Sequence, residues 1–133
     1  MTARLFTIGY ADRELAELVA MLGAAKVDRV IDVRQLPLSR RRGFSKTPLA
    51  AALAEAGIAY VHVRAAGNPY RKEDDALARY RAHLGRAAVA EVVAAAQGHR
   101  AALLCTCADP AACHRGILAP RVARALGATV TDL

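Results

Sequence analysis

The stretch Ala101-Ala102-Leu103-Leu104-Cys105-Thr106-Cys107-Ala108-Asp109-Pro110-Ala111-Ala112-Cys113-His114-Arg115 decides how this chain is read. It opens as a short apolar run, breaks at a polar turn, and leads into an amphipathic segment over 115–126 that Gly127 closes. A strand, a turn and a helix in that order form the repeating unit of a parallel sheet. The same unit recurs upstream. Residues 5–9 read as a buried strand, followed by a helix over 13–22 with Asp12 as its cap. Residues 30–33 read as a second strand, with a helix over 47–56 in which Thr47 caps and Pro48 takes the first helical position. A third strand is expected over 58–63, two helices over 74–84 and 86–97 broken at Gly85, and a last strand over 128–133. The expected fold is α/β: a single domain over 1–133, with a mostly parallel β-sheet of about five strands and helices on both faces.

Composition narrows the class of protein. The formal net charge is +7, carried almost wholly by arginine, since Lys26, Lys46 and Lys72 are the only lysines. An anionic ligand or nucleic acid is therefore a reasonable partner. The abundance of Ala and Arg also fits a GC-rich bacterial genome, which says nothing of function. The start of the chain is too quickly interrupted for a signal peptide, and no apolar run reaches the roughly 20 residues that span a bilayer. A cytoplasmic location without membrane partners is expected. The three cysteines, Cys105, Cys107 and Cys113, are then reduced thiols, ligands or redox groups and not a disulfide framework.

Ligands of such sheets bind beyond the carboxyl ends of the strands. Three polar clusters fall at those ends: Gly9-Tyr10, Asp32-Val33-Arg34, and the residues from Cys105 onward. Asp32 and Arg34 share one side of an extended strand. A buried Asp32 needs a cation, and Arg34 or Arg115 can supply it. The alternative role for Arg34 is an anion clamp, because its fork suits phosphate, sulfate or carboxylate. Next along the chain, Arg40, Arg41 and Arg42 stand beside Phe44 in a loop that could follow a nucleic-acid backbone; at most one or two of them can reach a ligand. Tyr60 and His62 share a strand face, His62 being open to a pocket role and Tyr60 to a structural one. His83 and His99 read as surface residues.

The cysteine turn admits four readings. Cys113 at a helix start, beside His114 and Arg115, has the setting of an activated nucleophilic or redox thiol. A zinc or iron site is the second, although C-x-C-x5-C-H fits no common zinc pattern and adjacent Cys113 and His114 would struggle to ligate one ion. The third is a redox disulfide, for which Cys105/Cys113 is a better candidate than the strained Cys105/Cys107. The fourth is structural, with Asp109-Pro110 starting a turn and Cys107 a small core residue.

Taken together, these motifs resemble a known family. Thr7-Ile8-Gly9-Tyr10, Asp32-Val33-Arg34 with Pro37, Ser39 and Phe44, Gly57 through His62, Gly67-Asn68-Pro69, Leu103-Leu104-Cys105 and Cys113-His114-Arg115 are similar, in order and along essentially the whole chain, to the family catalogued as domain of unknown function number 488. The resemblance implies an α/β fold of this size in a bacterial family with no established reaction. It carries over Asp32, Arg34, Ser39, Cys105, Cys113, His114 and Arg115 as the polar positions. Many members have His where this chain has Tyr10, and Glu where it has Cys107. That second departure argues against Cys107 as a shared metal ligand. A fainter likeness, at the level of the fold, is to rhodanese-like and thiol-phosphatase domains, whose continuous anion cradle Asp109-Pro110 would interrupt.

The expectation is thus a small enzyme acting on an anionic substrate. Cys105, Cys113, His114 and Asp32 are its candidate catalytic groups. Arg34, Arg115, Ser39, Tyr10 and His62 are its candidate anion-binding residues, with no cofactor and no assigned metal ligand. A nucleic-acid-binding or processing module using Arg40, Arg41 and Arg42 is the first alternative, and a metal-binding protein the second.

Overall fold

A computed structural model describes residues 3–133; residues 1 and 2 of the expected domain lie outside the described residues. The strands β1 (Ala3–Gly9), β2 (Arg29–Asp32), β3 (Ala59–His62), β4 (Ala101–Cys105) and β5 (Ala128–Asp132) form one sheet in the order β3-β2-β4-β1-β5, with every pairing parallel. Five helices connect them: α1 (Leu15–Ala24), α2 (Lys46–Glu55), α3 (Ala76–His83), α4 (Arg86–Ala96) and α5 (Arg115–Leu126). The fold is the α/β domain with helices on both faces that the repeating strand–helix pattern predicts.

β4 shows why the sheet is arranged this way. All five of its residues are buried, as a strand covered on both faces requires. Leu103 and Cys105 point into one core, with Tyr80 of α3, Val92 of α4, and Leu118 and Val122 of α5. Ala102 and Leu104 point into the other, with Leu18 and Leu22 of α1 and Leu49 and Leu53 of α2. Small residues at 101 and 102 let the helices sit close to the centre of the sheet. β4 lies between β2 and β1, where the strand order reverses, and its end at Cys105 is level with Gly9. A crevice opens at such a reversal.

Several helix ends depart from the sequence reading: α1 runs through Gly23 to Ala24, α3 covers only Ala76–His83, and two helix starts differ for a reason the structure shows. Asp12 does not cap α1. It adopts a left-handed backbone with φ 63°, which aspartate tolerates better than most residues, and the helix starts only at Leu15. Ser45, not Thr47, occupies the cap position of α2, so that Pro48 falls at the third helical residue, still within the turn whose N–H groups have no intrahelical partner. Gly85 separates α3 from α4, and Gly127 ends α5 in the left-handed conformation, both as expected. Among the described residues no helix is long and apolar enough to cross a membrane.

Leu104 is fully buried in the centre of the sheet, whereas Leu38 is 69% exposed. Leu104→Ala should therefore lower the unfolding free energy by about 2–5 kcal/mol in urea titrations, and Leu38→Ala by less than about 0.5 kcal/mol. Equal effects would contradict the placement of the core.

Candidate functional site

At the carboxyl end of β2, Asp32 lies in register with Leu104 of β4 and Val33 N donates to the Leu104 carbonyl at 3.0 Å. The Asp32 carboxylate is fully buried and pairs with Arg34: Nε donates at 2.8 and 3.0 Å, and Nη2 at 2.6 Å. Arg34 Nη1 donates to the Phe44 carbonyl at 2.6 Å and to the Tyr10 hydroxyl at 3.2 Å. Burial alone would lower the Arg34 pKa, but the bonds and charge of Asp32 outweigh it and hold it above its ordinary value. The Tyr60 hydroxyl also donates to Asp32, and burial together with that carboxylate pushes its pKa up. The guanidinium of Arg34 is held by Asp32 and by the loop over residues 33–45, and Arg34 also lines the cleft described below.

The candidate anion-binding residues scatter. Tyr10 is buried, stacks on Phe44 at 4.5 Å between centroids, and accepts a bond from Thr106 at 3.1 Å. His62 Nε2 bonds the Arg34 carbonyl at 2.8 Å. Ser39 and Ser45 bond each other across the loop. None of Tyr10, His62 and Ser39 lines the cleft described below. Of the arginine run, Arg41 turns inward, donating to the Tyr10 carbonyl at 2.6 Å and lying over the Phe44 ring, while Arg40 and Arg42 are exposed.

The cysteine turn is where chemistry-bearing groups converge. After β4 the chain keeps pairing with β1, through Tyr10 N to Cys105 O and Ala11 N to Thr106 O. Asp109 then accepts from Ala111 N and Pro110 starts a short 3-10 turn, as the Asp-Pro pair predicts. This folds Cys113 back onto the strand end. Cys107 and Cys113 are joined by a disulfide. Cys105 is the free thiol, with its Sγ 2.6 Å from that of Cys113 and 3.7 Å from that of Cys107. The Cys105/Cys113 pairing favoured by the sequence is thus corrected to Cys107/Cys113, and Cys107 is no mere core residue. Sequence separation misleads here because the Asp-Pro turn sets the geometry.

His114 stands beside this cluster, its Nδ1 3.8 Å from Cys113 Sγ. The objection that adjacent Cys113 and His114 cannot face one point fails: Cys105, Cys113 and His114 bring their ligand-type atoms within 4.8 Å of one another. His114 Nε2 bonds the Val33 carbonyl at 2.7 Å, and since a carbonyl only accepts, Nε2 carries the proton. Burial pushes the His114 pKa below its usual value, so the neutral ring presents an unprotonated Nδ1 to the sulfurs. Burial also raises the pKa of Cys105, against the opposing pull of Arg115.

Arg115 at the start of α5 is completely buried. Its Nη1 donates to Cys105 Sγ at 3.3 Å and to the Cys107 carbonyl, and its Nη2 to the Ala108 carbonyl at 3.2 Å. Its Nε has no partner, and no carboxylate pairs with it among the described residues. Arg115 therefore braces the cysteine loop from inside the protein.

A cleft of about 560 Å3 opens over the cluster. Cys105, Cys107 and His114 lie at its floor, Leu36 and Leu38 on one wall, and the exposed cations Arg71 and Lys72 on its rim. Sequence reasoning passed over Arg71 and Lys72. Their position depends on Gly67, where a Cβ would lie 2.4 Å from the Gln35 backbone, so only glycine lets this loop cross so closely. Buried Asn68 then closes the loop by bonding Tyr70 N and the Ala76 carbonyl. Gly67-Asn68-Pro69 was the available signal, ending two positions before Arg71.

The fold and this site define an α/β protein with a cysteine–histidine cluster under a cleft at the strand ends. The chain belongs to the family described as Domain of unknown function DUF488, whose sequence model matches residues 14–122. No curated protein and no solved structure matches it.

A Cβ on Gly9 would lie 1.8 Å from the Cys107 carbonyl, whereas one on Gly23 meets nothing within 4 Å. Gly9→Ala should displace the cysteine loop, lowering the melting temperature and speeding alkylation of the reduced cysteines. Gly23→Ala, inside α1, should be neutral or stabilising by up to about 1 kcal/mol. Unchanged alkylation in a folded Gly9→Ala protein would show that the loop does not depend on this contact.

Proposed function

We propose that the protein is a thiol–disulfide oxidoreductase acting on small anionic substrates in the cleft at the strand ends. The observation that carries this reading is the Cys107–Cys113 bond with a third, free thiol 2.6 Å away, under a rim that bears Arg71 and Lys72. When the pair is reduced, Cys107 is the outer thiol, because it is half-buried while Cys105 and Cys113 are buried. Its thiolate attacks one sulfur of a substrate disulfide; that S–S bond breaks, and one substrate thiolate leaves and takes up a proton from water. Cys113 gives its proton to His114 Nδ1 and attacks the Cys107 sulfur. The second substrate thiol leaves with that proton, and the Cys107–Cys113 bond forms. Two electrons have passed from the protein dithiol to the substrate.

Cys105 can attack Cys113 in turn, moving the bond to Cys105–Cys113 and freeing Cys107 with no net redox change. A small cellular thiol restores the dithiol, which suits a cytoplasmic protein. In this reading Asp32 is a positioning residue, and Arg34 and Arg115 hold the frame. Recognition of the anion falls to Arg71 and Lys72, which are free to move toward a ligand. Cationic walls raise local anion concentration and on-rates.

Stopped-flow oxidation of the reduced, chelator-treated protein tests this. An anionic aromatic disulfide carrying two carboxylates should react at least about tenfold faster than neutral hydroxyethyl disulfide, relative to each reagent's rate with a free thiol. The double variant Arg71→Ala, Lys72→Ala should lose that preference, and Cys113→Ser should accumulate a Cys107 mixed disulfide visible by mass spectrometry. Equal normalised rates for the two reagents, or no adduct on Cys107, would sink the proposal.

A further inference from the structure

We infer that the reduced chain also holds a zinc ion, bound by Cys105, Cys107, Cys113 and His114. This goes beyond disulfide exchange and stands without it, since it needs the four donor atoms and no substrate. Three thiolates and an imidazole are a common donor set of structural zinc, which takes four ligands in a tetrahedron. With Zn–S near 2.3 Å, neighbouring ligand atoms in that tetrahedron lie about 3.8 Å apart. Two of the contacts already have this length: Cys105 Sγ to Cys107 Sγ at 3.7 Å and Cys113 Sγ to His114 Nδ1 at 3.8 Å. The contacts of Cys113 Sγ with Cys105 Sγ and Cys107 Sγ must open. Reduction of the disulfide frees Cys113 from Cys107, and a side-chain rotation of about 1 Å takes Cys113 away from Cys105.

Two independent observations point to a cation in this place. The first is the orientation of His114. Its Nε2–H is anchored on the Val33 carbonyl, the usual arrangement of a metal-bound histidine, leaving Nδ1 aimed at the sulfurs. The second is Arg115. A fully buried guanidinium without a carboxylate is costly to the fold, and the sulfur it touches is that of Cys105. Three thiolates, one neutral imidazole and one Zn2+ carry a net charge of about −1. That charge matches the guanidinium bonded to the cluster. The cleft supplies the path by which the ion enters, past Cys107.

The stoichiometry is simple. A phosphine reductant donates two electrons to the Cys107–Cys113 bond, giving two thiols. Zn2+ then binds as the three thiols release three protons in all. Disulfide and metal exclude each other because both need the Cys107 and Cys113 sulfurs.

Untagged protein, reduced under argon and freed of phosphine, is titrated with Co2+ and then with Zn2+ against a chromophoric chelator. One equivalent of Co2+ should give thiolate-to-metal charge transfer and the strong visible bands of a tetrahedral site, and Zn2+ should displace it with a dissociation constant below about 1 μM. Disulfide-containing protein should give neither signal. Cys107→Ser and His114→Gln, each checked for folding by circular dichroism, should weaken binding by more than about tenfold. Absence of a tetrahedral spectrum in folded, reduced protein, a zinc constant above about 1 μM, equal binding by the oxidised form, or wild-type affinity in either variant would overturn the assignment. The metal titration contains no disulfide substrate and the exchange assay contains no metal, so each proposal fails on its own measurement.

Discussion

The buried pair of Asp32 and Arg34 organises the edge of the sheet on which everything else is built. Its guanidinium is bonded to Asp32, to the Phe44 carbonyl and to the Tyr10 hydroxyl, which ties the ends of β1 and β2 to the loop over residues 33–45. Tyr60 reaches the same carboxylate from β3. The backbone between the two partners is equally engaged: the Val33 carbonyl anchors His114, and the Arg34 carbonyl anchors His62. Removing either member of such a pair leaves a buried charge, at a cost of about 3–5 kcal/mol. The loss would propagate to the imidazole that faces the cysteines. The pair thus acts on the site by holding its frame in place, and Arg34 itself lines the cleft.

Two buried arginines in one small protein make an informative contrast. Arg34 has a carboxylate and is satisfied. Arg115 has three acceptors of weak or neutral character and an unpartnered Nε. A permanent cation is not retained in a dry interior without something that needs it. What it touches is the cysteine loop. Thiolates, whether transient during exchange or held by a cation, are the negative charge this interior can offer. The helix start at Arg115 adds its own partial positive charge to the same place.

The sheet, its order of strands and helices, and the position of the site were legible because they depend on local pattern. An apolar run such as 101–105 followed by an amphipathic helix admits few folds, and parallel strands bring their carboxyl ends to one edge. Side-chain roles were less legible because they depend on contacts distant in sequence. Nothing near Arg34 says that Phe44 and Tyr10 will occupy its Nη1, and nothing near Ser39 says that Ser45 will. The partner of Cys113 was misread for the same reason: the Asp109-Pro110 turn sets its sulfur against both Cys105 and Cys107, and the bond is to Cys107. Arg71 and Lys72 escaped notice because exposed cations are common, and only the close crossing of Gly67 over Gln35 brings these two above the cleft.

Cys107 decides the chemistry of the turn. It gives a third soft donor whose charge depends on reduction or on a bound cation. The sulfur bonded to Arg115 is that of Cys105, which is a free thiol beside the disulfide, so reduction adds two further thiols to a guanidinium that already touches one. Reduction and anion formation around Arg115 should therefore reinforce each other, since a buried cation favours the thiolate over the thiol.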